Sequence, residues 1–150
     1  MRQVALTFLS LYGVFATATT VASPSCANPV GEWANQIKPK SSTLKITSVQ
    51  NGALQGTYIS PSGTQGDEYP IVGWVNAGAS EQNKDNAVII SFSVNWGSTY
   101  GSVTSWTGVC RTVNGASTLT ALWNLGMSHS VLGNLEWAHV LSGQDTFRPK

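Results

Sequence analysis

The sequence predicts an all-β protein, an eight-stranded antiparallel up-and-down β-barrel. Three observations carry that expectation. From Val30 onward the chain is a series of short runs in which side-chain character alternates, the period of a strand rather than a helix. Asn51-Gly52 and Asn114-Gly115 each join two such runs, and both residue types accept the positive φ of a two-residue hairpin turn. No stretch shows helical periodicity. Eight sequential strands joined by short links make a meander, and closing it removes the exposed edges. A two-sheet sandwich is the rival. The barrel is preferred because inward polar and aromatic residues recur near strand ends, as at the mouth of a cup.

The 150 residues suit one domain with a sizeable core. Met1-Arg2, the apolar run Val4–Ala16 and the small residues Thr20-Val21-Ala22 read as a secretory signal peptide over residues 1–22, too short to span a bilayer. Residues 23–150 form the expected barrel domain, secreted to the extracellular space. Without Arg2 the formal charges balance, seven basic against seven acidic. That balance, with no basic cluster, argues against nucleic acid or a membrane as partner. The two cysteines, Cys26 and Cys110, in an exported chain form a disulfide more often than a metal site. There is no Asn-X-Ser/Thr sequon.

The elements follow in order. Val30–Ile37 alternates with Trp33, Asn35 and Ile37 on one side, and Lys38-Pro39-Lys40-Ser41 breaks it. Ser42–Val49 puts Ser42, Leu44 and Ile46 on one face, and Ala53–Ser60 does the same for Leu54, Gly56, Tyr58 and Ser60. After the loop Pro61–Gly66 comes a fourth strand, Tyr69–Asn76. The polar link Ala77–Asn86 is expected to be exposed and mobile. Val88–Trp96 aligns Ile90, Phe92, Val94 and Trp96. Gly97–Gly101 leads into Ser102–Cys110, whose alternation puts Ser102, Thr104 and Trp106 together. Ser117–Leu125 aligns Ala121, Trp123 and Leu125. Met127–Asn134 reads as a loop and Leu135–Gly143 as the eighth strand.

Hydroxyls on the buried side of a strand need hydrogen-bond partners. Parity gathers Asn35, Ser42, Tyr58, Ser60, Trp96, Ser102, Thr104, Trp106, Trp123 and Leu125 inward near strand ends, with Asp145 just beyond strand eight. Flat apolar walls with a few directional polar groups are the make-up of a small-ligand site at one open end of the barrel. Singly, each has a plainer explanation: a core indole, a one-residue register slip, or, for Asp145, a turn cap.

Six motifs occur in order: Gly31-Glu32-Trp33-Ala34-Asn35-Gln36-Ile37, Gly56-Thr57-Tyr58, Val94-Asn95-Trp96, Thr104-Ser105-Trp106-Thr107-Gly108, Trp123-Asn124-Leu125 and Gly143-Gln144-Asp145-Thr146-Phe147. Together they resemble the avidin–streptavidin family of biotin-binding proteins over essentially the whole mature chain. The resemblance implies that Asn35, Tyr58 and Ser42 donate hydrogen bonds to the ureido oxygen of biotin. Ser60 and Asp145 would accept from its two N–H groups. Thr104 would meet the thioether sulfur, and Ser102 with the Pro61–Thr64 loop would hold the valerate carboxylate. Trp96, Trp106, Trp123 and Leu125 would wall the ring. Trp137 matches the tryptophan that family members insert into a neighbouring subunit's site, which implies the family's usual homotetramer; read alone, it is an ordinary strand-eight residue. Trp33 matches a structural aromatic at the closed end, and Trp74 matches no family role. Cys26 and Cys110 sit where avidin, rather than streptavidin, has its intramonomer disulfide.

Three stretches depart from the family pattern. The Lys38–Ser42 turn is long, so Ser41 competes with Ser42, which is preferred for its parity with Leu44 and Ile46. The Pro61–Thr64 loop differs in composition, and Tyr100 enters the strand-five to strand-six link, where it can add to or block ligand contact. The expected function is a secreted, non-catalytic protein that sequesters biotin in a preformed pocket, biotin being ligand and not cofactor. The alternative is a lipocalin-like secreted carrier of another small apolar ligand, motivated by the changed loop. A hydrolase using a serine with His129 or His139 and Asp145 ranks last: no Gly-X-Ser-X-Gly elbow is present, and neither histidine is expected in the pocket. No metal-ligand spacing or phosphate loop occurs.

Overall fold

Eight strands run in chain order: β1 Gly31–Asn35, β2 Thr43–Gln50, β3 Ala53–Ile59, β4 Glu68–Asn76, β5 Ala87–Asn95, β6 Ser102–Val113, β7 Ala116–Met127 and β8 Val140–Pro149. Each pairs antiparallel with the next, and β8 pairs back to β1 through Trp33↔Pro149, Ala34↔Arg148 and Asn35↔Phe147, closing the barrel. The computed structural model describes residues 23–38, 40–61, 64–78, 83, 85–130, 132–133 and 135–150. The signal peptide expected over residues 1–22 lies outside them, as do parts of the 38–42, 61–66, 77–86 and 127–134 links.

Alternation of side chains builds the interior. Val88, Ile90, Phe92 and Val94 on β5 are buried while Ile89 between them is exposed; Thr104, Trp106 and Cys110 on β6 alternate with exposed Val103, Ser105 and Thr107. The turns follow the same local logic. Asn51 and Gly52 have φ of 50° and 81°, and Asn114 and Gly115 have 51° and 78°, the left-handed pair a tight hairpin demands. In β2 the register with β3 shifts between Ile46 and Ser48, a bulge that leaves Thr47 outside the ladder.

The segment before β1 closes one end. Trp33 is fully buried, and its indole N–H donates to the Pro29 carbonyl at 2.9 Å. Cys26 is disulfide-bonded to Cys110 on β6, as expected. The Cys26 backbone N–H donates to Ser117 Oγ at 3.2 Å, and Ser117 Oγ lies 2.8 Å from Thr112 Oγ1. Buried Trp33 and Cys26 make this end a packed floor, and truncating a core indole such as Trp33 to alanine costs about 3–5 kcal/mol.

Several boundaries differ from expectation. The eighth strand is not Leu135–Gly143: Glu136–His139 forms a 3-10 turn, and β8 runs from Val140 to Pro149. Asp145 therefore lies inside β8, not beyond it. Leu135 to Leu141 alternates convincingly, yet Leu125↔Leu141 through Leu119↔Phe147 is the pairing that buries Asp145 and Phe147, and tertiary pairing overrides local propensity. β1 ends at Asn35, leaving Ile37 exposed rather than inward. β6 and β7 each run longer than expected, so Met127 belongs to a strand and not to a loop. Gly97–Tyr100 is a single helical turn, α1, bounded by Gly101 in the left-handed region. In the 77–86 link, Ala77, Gly78, Asp85 and Asn86 are exposed, but Asn83 ties its ends: its side-chain amide donates to the carbonyls of Ala77 at 2.7 Å and Ala87 at 2.8 Å.

Candidate ligand-binding site

The open end of the barrel carries a cavity of about 290 Å³ lined by Ser60, Thr64, Trp96, Tyr100, Ser102, Thr104, Leu125, Met127 and His129. That is near the lower end of the roughly 300–1,000 Å³ usual for small-molecule sites. Five of the sequence-derived residues line it: Ser60, Trp96, Ser102, Thr104 and Leu125. Their positions follow from the ladder, since Thr104 pairs with Val94 on one side and Leu125 on the other. The Trp96 indole N–H donates to Thr104 Oγ1 at 2.7 Å, which fixes the ring and leaves the threonine O–H as a donor.

Below the cavity lies a polar tier. Asn35, Tyr58 and Asp145 are 4%, 3% and 6% exposed. Asn35 Oδ1 accepts from the Ile37 backbone N–H at 3.0 Å, so its amide N–H₂ is left to donate. Burial pushes the Tyr58 hydroxyl up to about 12; hydrogen bonding from Ser42 and Asn35 works against that rise, and the charge of Asp145 reinforces it. Ser42 thus belongs to the Tyr58 cluster. Ser41 is exposed and turns back to the Ile37 carbonyl at 3.4 Å.

Asp145 Oδ2 accepts from Trp106 Nε1 at 2.8 Å. The bond spans β7 at Ala121, which pairs with Asp145 and is small enough to let the indole reach across. Among the described residues the ion pairs are Arg111–Asp85 and Lys150–Glu32, both exposed, so Asp145 is a buried carboxylate with no cation beside it. A group held under those conditions marks a functional site more often than a structural one.

The aromatic walls are continuous. Trp106 stacks on Phe92 with ring centroids 4.9 Å apart, lies 4.9 Å from Tyr58, and pairs across the ladder with Trp123. Tyr58 meets Trp96 edge-on at 6.0 Å, which links the polar tier to the cavity. The Trp123 indole lies over Gly143, in the space a Cβ there would fill. The tier residues Asn35, Ser42, Tyr58, Trp106, Trp123 and Asp145 do not line the outer cavity itself.

The remaining predicted residue, Trp137, stands on the 3-10 turn and is 67% exposed, away from the cavity of its own chain. Four lining residues lie outside the ligand set drawn from the sequence: Thr64, Tyr100, Met127 and His129. Thr64 is buried, its hydroxyl donating to the Ser60 carbonyl at 3.1 Å. Met127 and His129 continue the inward parity of Ala121, Trp123 and Leu125, the signal that could have found them. The expectation that neither histidine reaches the pocket is corrected for His129. His139 lies outside, its Nδ1 2.9 Å from the Met127 carbonyl. Tyr100 joins the wall through Tyr69, which meets both it and Trp96 edge-on. Among the described residues no three His, Cys, Asp or Glu side chains gather as a metal site, and no helix is long and apolar enough to cross a membrane.

A closed eight-stranded barrel with a floor at one end and a polar-tipped, aromatic-walled cavity at the other defines a small-ligand-binding barrel. The avidin family model matches residues 23–150, and the chain belongs to the avidin family, whose members are not enzymes. Afifavidin of Afifella pfennigii is 30% identical over 123 residues; the match covers 77% of this chain and 65% of the relative's own length. Among solved structures, apo shwanavidin is 31% identical with a TM-score of 0.61, covering 81% of this chain and 97% of that one. A variant of shwanavidin in complex with biotin is 32% identical with a TM-score of 0.60, covering 90% of this chain and all of that one.

Proposed function

We propose that this protein binds biotin without chemistry and, once secreted, sequesters it. The observation that supports this most is the polar tier. Donors on Asn35, Ser42 and Tyr58 and a buried acceptor on Asp145 suit a planar head group that accepts on one edge and donates on another. A cyclic urea has that pattern, and the biotin complex of the shwanavidin variant lends it weight. In this reading Ser60 accepts the second ureido N–H, Thr104 faces the sulfur, and Trp96, Trp106, Trp123 and Leu125 wall the bicycle. Ser102 takes the carboxylate tail. Because the indoles are already fixed by Thr104 and Asp145, little ordering entropy is lost on binding.

The homotetramer and the role of Trp137 in a neighbour's site are part of the same proposal. Their support is an outward apolar face on β6, β7, the 3-10 turn and the start of β8, where Val103, Leu122, Leu135, Trp137 and Val140 are all exposed in the single chain. Export through the 1–22 leader completes it, and the N-terminal residue of the exported protein checks that part.

Titrating tryptophan fluorescence with biotin, with solution mass measured in parallel, tests the function and the assembly together. Quenching that ends at one biotin per chain supports the reading. Unchanged fluorescence together with failure to bind biotin-agarose overturns it and leaves the carrier of another small ligand.

A further inference from the structure

The cavity is electrically lopsided. Behind the lining Trp96, Tyr58 meets Trp106, whose indole is bonded to the Asp145 carboxylate, while the lining itself carries His129. Among the nine lining residues His129 is the one side chain able to hold a positive charge, and no Lys, Arg, Asp or Glu shares that wall. Around it the other polar groups are hydroxyls on Ser60, Thr64, Tyr100 and Ser102, which serve an anion or a neutral group about equally.

We propose that His129 reads the charge of the ligand's tail, so that the site prefers an anionic carboxylate over a neutral amide and loses that preference as the imidazole gives up its proton. The proposal rests on the biotin reading above and adds a specificity-determining residue to it. Imidazole is the side chain that changes charge between about pH 5 and 8, and a carboxylate stays ionised across that window. Asp67 bears on this end of the barrel as well, since its charge acts on Tyr69, which packs against Tyr100 and Trp96 of the cavity wall. The Tyr58 and Tyr69 hydroxyls are both pushed up from 10.0, chiefly by burial, and so further above the window. Asp145 belongs to the polar tier below the cavity. His139 lines a neighbouring groove that shares Ser102 and Met127 with the cavity, its Nδ1 2.9 Å from the Met127 carbonyl. Variants of His129, and not the wild-type slope alone, therefore assign the effect. Because His129 is exposed, solvent screens its charge, and the expected preference is modest: about two- to five-fold, the range of an exposed ion pair.

Release rates of biotin and of a neutral biotin amide, measured on the full chain between about pH 5.5 and 8.5, test this. In the wild type the amide-to-acid ratio of release rates should be about two- to five-fold higher at the acid end than at the alkaline end. His129→Gln should flatten the ratio at the low value, and His129→Lys should hold it at the high value across the range. A wild-type ratio independent of pH, or a slope that survives in His129→Gln, overturns the role of His129 while the biotin reading stands. Failure of the wild type to bind either compound overturns the biotin reading, and this extension falls with it.

Discussion

The indole of Trp106 and the carboxylate of Asp145, 39 residues apart, are joined by a hydrogen bond of 2.8 Å that spans β7 inside the barrel. One bond does two things. It anchors the ring that walls the ligand space, and it satisfies one oxygen of a carboxylate that forms no ion pair among the described residues, leaving acceptor capacity over.

Asp145→Asn keeps an acceptor for Trp106 but removes the charge. Biotin release should accelerate about ten- to a hundred-fold, the worth of one charge-assisted hydrogen bond of about 1.5–3 kcal/mol. The ligand-free variant should melt no lower than wild type, since an uncompensated buried charge is gone. Stopped-flow release and calorimetry read the two effects separately. Unchanged release would remove Asp145 from the ligand contacts.

Trp137→Ala should leave the fold of the chain intact, because the side chain is mostly exposed in the single protomer. Release should nevertheless speed up, by about five- to a hundred-fold for an interface aromatic anchor. A release rate equal to wild type, with far-ultraviolet spectra also equal, would show that Trp137 reaches no neighbouring site.

Tyr58 gives a pH dependence with a definite sign. Its folded pKa is raised from 10.0 to about 12, chiefly by burial. The stability it contributes is therefore complete below pH 10 and is lost as pH rises through about 12. Its O–H remains a donor up to that window. Tyrosinate absorbance should show one phenol titrating late, and denaturant midpoints should fall over the same range. In Tyr58→Phe both the late titration and that share of the alkaline loss should vanish.

The Cys26–Cys110 bond closes a loop with a sequence separation of 84 residues. Replacing both cysteines with serine should lower unfolding stability by about 2–4 kcal/mol, measured as a shift in denaturant midpoint at unchanged slope. The open-end cavity should stay formed, because the bond ties the floor.

Much of the barrel and its site is legible in the residues alone. The alternation in Ser102–Cys110 places Thr104 and Trp106 inward, and parity favours Ser42, which hydrogen-bonds Tyr58, over the exposed Ser41. Leu135–Gly143 misleads, because a local pattern as regular as any strand belongs partly to a 3-10 turn. His129 is expected outside the pocket because Met127–Asn134 reads as loop, whereas β7 carries the inward row to Met127, the last lining residue before it.

Which side chains share a face and where the hairpins turn are written in the local chain, because a strand's period of two and the φ demands of Asn-Gly need no distant partner. The ordered motifs likewise carry the family. Which faces meet is settled only by the folded barrel: β8 begins at Val140 and closes on β1, Asp145 sits inside within reach of Trp106, and His129 joins the outer wall. Those outcomes depend on register and closure among strands distant in sequence, and no local periodicity carries that information.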